Sequence, residues 1–179
     1  MDLNGALESI QQKIDLQGSR MTEEEADVLG ANPDNPPAVC FYAMGLLMNS
    51  SVRFKKLFFQ GYDELQTEAF ALLDTEIKKN NPLAVYLYAE IKCGLFGKFP
   101  RYPQEGKALF EMYYSLTGDE KTKSEILDNW DSFDAEMKRH FDDMRIYEVM
   151  TDLRNQGFTD FSSHEEAYYE DESDGASKA

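Results

Sequence analysis

The sequence predicts an all-α protein: a short α-solenoid of antiparallel helix pairs with an N-terminal helix and a long C-terminal helical segment. The segment 35–43 recurs at 81–89, with Asn, Pro, Ala, Val, Tyr and Ala at matching positions 46 residues apart. Such a period is typical of helical repeats. Apolar residues are spaced three or four apart throughout, and no alternating run bounded by turn residues predicts a strand.

The first quarter of the chain predicts two helices followed by a turn. Apolar residues spaced by four, three and four mark one face of a helix over 3–14. Thr22 and Glu25 form a capping box, in which each side chain accepts from an otherwise unpaired backbone N–H. This box opens a short helix that ends near Gly30. The segment 32–37 contains three prolines, so it is predicted to be a turn.

Two helix pairs are predicted next, each opened by an Asn-Pro dipeptide. Proline suits the first helical turn because its missing N–H would be unpaired there. The predicted helices are 37–49 with 62–79, and 82–95 with 103–116. The connection 94–103 has two Gly and two Pro and is predicted to be a loop. Its longer counterpart, 50–61, combines aromatic and basic residues, and its aromatic side chains are expected to pack over the groove between the pairs.

Small residues at equivalent places in the pairs predict where helices cross. Ala43 and Ala89 occupy equivalent places after the opening of the first helices, where a small side chain lets a neighbour approach closely. Ala69 and Ala108 are predicted to be the matching positions of the second helices. The four positions therefore define the expected register of the repeat.

The C-terminal third predicts a long amphipathic helical segment and an acidic tail. Thr122 and Glu125 have the spacing of another capping box. About thirty residues without Gly or Pro follow, which predicts one helix or two helices bent near 139–142. We expect a single helical-repeat domain over 1–163. Residues 164–179 are strongly acidic and are expected to form a disordered tail.

Composition and charge restrict the classes of partner. The net charge is −16, and residues 124–179 alone hold 16 acidic and 5 basic residues. Such a field repels nucleic acid and anionic membranes and attracts a basic protein. No leader or membrane-spanning run is evident, and we expect a cytoplasmic protein. Cys40 and Cys93 lie on apolar helical segments and are expected to be reduced core residues.

The helix pairs resemble the Sel-one-like repeats, a branch of the tetratricopeptide-type helical repeat family. The resemblance covers about 22–118 and depends on an Ala-x-x-x-Tyr-Ala pattern in each first helix and on the pair Lys107-Ala108. Alanine stands at 43 and 89 where the family usually has glycine, and loop glycines remain at Gly94 and Gly97. The resemblance implies adaptor and scaffold roles through protein binding, and it implies no catalytic residues.

Candidate chemistry is sparse. His140 lies four residues after Glu136 on one helix face, and a metal or acid–base role would need further ligands. Asp128, Asp131 and Asp134 recur every three residues, as carboxylates of a cation site or of a solvated helix face do. Surface positions are the simpler interpretation for both sets. No cofactor, metal site or catalytic residue is therefore predicted.

The favoured hypothesis is a non-enzymatic protein-binding module. Within that class, the acidity and size favour an immunity or inhibitor protein that captures a basic toxin or nuclease. An adaptor or regulatory scaffold is the second hypothesis, and an enzyme built from scattered carboxylates and His140 is the third. First-helix residues line the concave groove of helical arrays. The candidate binding residues are Tyr42, Tyr86, Tyr88, Lys92, Asp128, Asp131 and Asp134.

Overall fold

The computed structural model describes residues 1–16, 19–50, 54–55, 58–59, 64–155 and 157, and it confirms the all-α class. Helices make up most of these residues. Their bounds are α1 Leu3–Leu16, α2 Glu23–Gly30, α3 Pro36–Asn49, α4 Glu64–Lys78, α5 Pro82–Cys93, α6 Pro103–Thr117, α7 Glu120–Thr122 and α8 Trp130–Asn155. A five-residue π-helical turn, Lys123–Leu127, lies between α7 and α8.

The first two helices form as their sequence predicts. Ile10 and Ile14 of α1 are buried, which confirms the predicted apolar face. The predicted capping box opens α2: Thr22 Oγ1 accepts from the Glu25 N–H, and the Glu25 carboxylate accepts from the Thr22 N–H. Glu25 is also buried, and Lys13 of α1 donates to its carboxylate at 2.6 Å, which compensates the buried charge. This ion pair ties α2 to α1.

The two Asn-Pro dipeptides open α3 and α5, as predicted. The Asn35 side chain accepts from the Ala38 N–H at 3.0 Å, and the Asn81 side chain accepts from the Leu83 N–H at 3.1 Å. Each proline takes the first helical position. The largest helix–helix contacts join α3 to α4 and α5 to α6. The repeated segment therefore marks the equivalent starts of α3 and α5, each of which packs mainly against the next helix along the chain.

A short ladder departs from the expectation that the chain has no strands. Phe54–Lys55 and Phe58–Phe59 form two-residue strands, β1 and β2, which pair antiparallel with Phe54 opposite Phe59. Two residues are too few to produce an alternating pattern, so periodicity does not reveal them. The predicted packing of the aromatic side chains of 50–61 lies outside the described residues.

The start of the C-terminal segment differs from the prediction. Asp119, not Thr122, is the N-cap, since its carboxylate accepts from the Lys121 N–H at 3.1 Å and from the Thr122 hydroxyl at 2.8 Å. Thr122 lies inside the short α7, and the π-helical turn follows it. Beyond this turn, α8 is one continuous helix through the proposed bend at 139–142. The predicted tail, 164–179, lies outside the described residues.

Three of the four predicted small positions are buried, and one is not. Ala43, Ala69 and Ala89 have no exposed surface. Ala108 is exposed, so its predicted place at a helix crossing is wrong. Gly106 occupies that place instead: a Cβ there would lie 3.1 Å from the Ala89 carbonyl oxygen and would overlap the Cys93 sulfur. The closest approach of α6 to α5 therefore occurs two residues earlier than predicted.

The core has two parts, and α5 contributes to both. The larger part gathers apolar residues of α1 to α5 and of the loop after α5. The smaller part joins the other side of α5 to α6, the π-helical turn and the start of α8, with Phe110 and Trp130 at its centre. Cys40 and Cys93 are fully buried, as predicted, and burial raises the pKa of each thiol to about 12.

The long helix α8 packs against the loop that follows α5. Gly97 touches the α8 backbone at Met144 and Arg145, where a Cβ has no room. Arg101 donates from Nε to the Cys93 carbonyl at 2.7 Å and forms an ion pair with Asp134 of α8. Among the described helices, none is both long enough and apolar enough to cross a bilayer.

Candidate functional site

An open groove of about 330 Å³ runs between α4 and α5. We call it the aromatic groove, because rings form much of its wall. Its lining residues are Thr67, Phe70, Ala71, Asp74, Tyr88, Ile91, Lys92, Phe99, Pro100 and Tyr102. Two of the candidate binding residues, Tyr88 and Lys92, are among them.

The spacing of side chains on α4 and α5 explains why a groove opens there. Thr67, Ala71 and Asp74 recur at intervals of four and three, so they lie on one face of α4. Thr67 and Ala71 are short and leave space in front of α5. Tyr88 and Lys92 are four apart and therefore share the opposing face of α5. Short side chains facing long ones thus produce a recess with an aromatic wall.

Edge-on ring contacts fix the wall of the aromatic groove. The ring centroid of Phe70 lies 5.8 Å from that of Tyr88 and 5.5 Å from that of Phe99, with an interplanar angle of 71° in each case. Phe99 in turn meets Phe96 edge-on at 5.8 Å. Such T-shaped pairs are the favoured arrangement of aromatic quadrupoles and limit ring movement. The wall of the groove is therefore a continuous series of edge-to-face ring contacts.

Lys92 lies at one end of the aromatic groove, between two tyrosine rings. Its Nζ is 5.3 Å from the centroid of Tyr88 and 4.8 Å from that of Tyr102. The same Nζ lies 2.7 Å from the carboxylate of Glu105 on α6. The Tyr102 N–H donates to the Lys92 carbonyl at 2.8 Å, which holds Tyr102 beside α5. The ammonium is thus surrounded by two ring faces and one carboxylate.

The other two candidate tyrosines lie elsewhere. Tyr42 packs beside Gly30 of α2, and burial followed by the charges of Glu68 and Asp27 raises the pKa of its hydroxyl. Tyr86 lies on the α6 side of α5, with its ring 5.3 Å from Phe110 and 5.0 Å from Tyr113. Burial raises the pKa of Tyr86 to about 12. Of the four residues proposed from the first helices, the structure brings together Tyr88 and Lys92 only.

The three aspartates of the C-terminal segment also have different surroundings. Asp128 and Asp131 are exposed, whereas the carboxylate of Asp134 pairs with Arg101. His140 Nε2 lies 3.1 Å from the carbonyl oxygen of Leu95, so this ring joins α8 to the loop after α5. Within the described part of the chain, no group of three His, Cys, Asp or Glu side chains is arranged to hold a metal ion.

A smaller cavity of about 90 Å³ lies where α1, the end of α3 and α8 meet. Its wall includes Lys13, Lys98 and Glu148. Lys13 holds the carboxylate of Glu25, and Lys98 donates to the Ser50 carbonyl at 2.7 Å. The aromatic groove is larger and has more aromatic residues in its wall, so it is the stronger candidate site.

Comparisons with known proteins identify no relative. No protein-family model, no curated protein and no solved structure matches the chain. The resemblance to Sel-one-like repeats therefore stays a prediction, and the geometry of the groove is the basis for a functional proposal.

Sequence reasoning missed three of the four aromatic residues that line the aromatic groove. Phe70, Phe99 and Tyr102 were not predicted as binding residues, although the loop 94–103 is rich in aromatic residues. That enrichment is the signal which could have identified Phe99 and Tyr102. Phe70 follows the small residue Ala69 and carries no comparable signal, because its role depends on the packing of α4 against α5.

Proposed function

We propose that this chain is a non-enzymatic protein-binding module, built as a short α-solenoid in which α3 with α4 and α5 with α6 are antiparallel repeat pairs. The observation that carries the proposal is the aromatic groove at the junction of the pairs, with Tyr88, Tyr102 and Lys92 at one end. Rigid aromatic residues in a recess are the usual anchors of protein interfaces. A segment of the partner would place an apolar side chain against Phe70 and Phe99.

Charge supports a basic partner. The chain carries a net charge of −16, and the exposed Asp128 and Asp131 add to the acidic surface of its C-terminal third. Opposite charge accelerates encounter, while buried aromatic contacts supply most of the affinity. An immunity or inhibitor protein that captures a basic toxin or nuclease would use charge for rapid encounter and aromatic contacts for affinity. An adaptor with a basic target is the second candidate.

The positions of the candidate catalytic groups favour binding over catalysis. An enzyme built from carboxylates and His140 would bring these groups to one recess. His140 instead meets the Leu95 carbonyl, and Asp134 pairs with Arg101. Neither residue lines the aromatic groove.

Affinity capture with two tyrosine variants tests the proposal. Tyr102 is 47% exposed and lines the aromatic groove, whereas Tyr147 is 53% exposed and lies on α8 outside it. The wild type and Tyr147→Ala should retain the same basic protein from an extract of the native host, and Tyr102→Ala should retain much less of it. The complex is then rebuilt from purified components. Equal retention by all three proteins would contradict binding through the groove.

A further inference from the structure

The end of the aromatic groove has the construction of a site for an organic cation. Cations bind to the faces of aromatic rings within about 6 Å of the centroid, and a nearby carboxylate strengthens the attraction. Tyr88, Tyr102 and Glu105 supply two such faces and one carboxylate, at 5.3, 4.8 and 2.7 Å from the Lys92 Nζ. We call these three residues the cation cage.

Lys92 is the internal occupant of this cage. Its side chain is 22% exposed and that of Glu105 is 60% exposed, so the cage opens to solvent on one side. A lysine stem is flexible and can leave the two rings for water without unfolding α5. The ion pair resists this movement weakly, because the Glu105 carboxylate is largely exposed and water screens the attraction.

We infer that the cation cage binds an arginine or lysine side chain of a protein partner, and that Lys92 is an intramolecular competitor which this side chain displaces. The inference rests on the proposed function and names the chemistry of the segment that is bound. The net charge of −16 favours a cationic segment, and Asp74 on the facing side of the groove adds a second carboxylate. Arginine suits the cage best, because its planar group stacks on rings and pairs with carboxylates.

The competition makes the groove selective. A free cation must displace the Lys92 ammonium, which belongs to the same chain and has a high local concentration, so a cation alone binds weakly. A segment that also places an apolar side chain against Phe70 and Phe99 gains contacts which Lys92 does not provide. The groove therefore selects segments that combine a basic residue with an apolar or aromatic neighbour.

A small organic cation tests the cage without knowledge of the partner. The probe is benzyltrimethylammonium, whose charged head matches the cage and whose ring matches the apolar part of the groove. Binding to the full chain is followed by NMR shifts, with sodium chloride added to equal ionic strength and benzyl alcohol as the neutral control. The proteins are the wild type, Lys92→Met, Lys92→Gln, and Lys92→Met combined with Tyr102→Leu or with Tyr147→Leu.

We expect each single Lys92 variant to bind the probe at least about tenfold more tightly than the wild type, because the competitor is gone. The combination with Tyr102→Leu should lose this gain, and the combination with Tyr147→Leu should keep it. Equal affinity in the wild type and both Lys92 variants would overturn the inference, as would a gain that survives Tyr102→Leu. The neutral control should bind all variants alike.

The result separates the cage from the proposed function. Cation binding that follows these expectations while no protein partner is captured would refute the protein-binding role and leave the cage in place. A captured partner whose affinity is unchanged in Lys92→Met, with no gain for the probe, would refute the cage and leave the protein-binding role in place.

Discussion

Glu90 on α5 is a partly buried carboxyl group whose pKa is raised to about 7, first by burial and then by the charge of Asp15. The folded state therefore keeps a proton that the unfolded chain, with the ordinary value of 4.5, releases. The free energy of unfolding should fall as the pH rises from about 4.5 to about 7, because the unfolded state binds fewer protons in this window.

Glu90→Gln should remove the loss of stability that occurs as the pH rises, because the amide does not ionise. We expect the variant to be more stable than the wild type by about 2 kcal/mol at about pH 8, and nearly equal to it at about pH 4.5. Urea unfolding of both proteins across this range measures the difference. A difference that does not change with pH would show that Glu90 is not the group responsible.

Glu25 shows the opposite behaviour. Burial raises its pKa, but hydrogen bonds from Lys13, Ser9 and the Thr22 N–H outweigh burial and lower the pKa to about 2. Its contribution to stability is present above 4.5, the ordinary pKa, and is lost as the pH falls towards about 2. The carboxylate is thus a charged group of the core, and Lys13 supplies the opposite charge.

Lys13→Met should destabilise the fold by about 3 kcal/mol, because it leaves a buried carboxylate without its cation. The double variant Lys13→Met/Glu25→Gln should be less destabilised than Lys13→Met alone, since no charge then remains buried. The free energies of unfolding of the wild type, the two single variants and the double variant, measured by chemical unfolding at neutral pH, form a double-mutant cycle. Simple addition of the two single effects would exclude a coupled pair.

The sequence predicted the local part of this cluster and missed the rest. The spacing of Thr22 and Glu25 identifies a capping box, because capping depends on residues three apart. Lys13 lies on another helix, and nothing in its spacing from Glu25 indicates contact. Buried charge pairs between helices depend on how the helices pack, which a single sequence does not contain.

At the scale of the elements, the starts of α3 and α5 were predictable, and the packing positions of α4 and α6 were less so. The Asn-Pro starts and the buried Ala43 and Ala89 follow from the recurring segment. The register of α6 was wrong, since Gly106 and not Ala108 faces α5. α4 and α6 share no recurring segment, so their alignment depended on matching one small residue in each, Ala69 with Ala108.

Two matched substitutions test the corrected register. Ala89→Leu should destabilise by about 1–3 kcal/mol, because the added side chain meets α6 at its closest approach. Ala108→Leu adds the same atoms on an exposed face of α6 and should change stability by less than about 0.5 kcal/mol. Thermal unfolding measures both. A larger destabilisation by Ala108→Leu than by Ala89→Leu would indicate that Ala108 faces α5, and it would contradict the observed helix crossing.

Only the part of the aromatic groove that α5 contributes was predictable at this scale. Tyr88 and Lys92 are four residues apart on a first helix, and helical spacing alone places them on one face. Tyr102 and Glu105 reach Lys92 because the loop after α5 turns back along that helix, with Tyr102 hydrogen-bonded to Lys92. The path of that irregular loop is set by packing against α8 through Gly97, which residue patterns do not encode.

On the scale of the whole molecule, charge and shape have separate roles. Acidic residues predominate in both end regions, and the exposed Asp128 and Asp131 belong to the C-terminal one. Charges at the edge of an interface change the association rate constant more than the dissociation rate constant. Salt should therefore slow association of a basic partner, since screening acts within about 8–10 Å near physiological ionic strength.

Neutralising the exposed aspartates tests this role. Asp128→Asn/Asp131→Asn should slow association several-fold at low salt and leave dissociation nearly unchanged. Asp134 is kept, because its pairing with Arg101 makes it structural. Removal of 164–179 should act in the same direction, since this segment is strongly acidic. Association that is independent of salt would exclude electrostatic attraction of a basic partner.

The dissociation rate constant of the captured partner from Tyr102→Ala, compared with Tyr147→Ala, is the most direct test of binding through the aromatic groove. We predict that the partner leaves Tyr102→Ala at least about tenfold faster than it leaves the wild type, because an anchoring ring is lost. It should leave Tyr147→Ala within about twofold of the wild-type rate. Equal dissociation from the wild type and Tyr102→Ala would contradict the account.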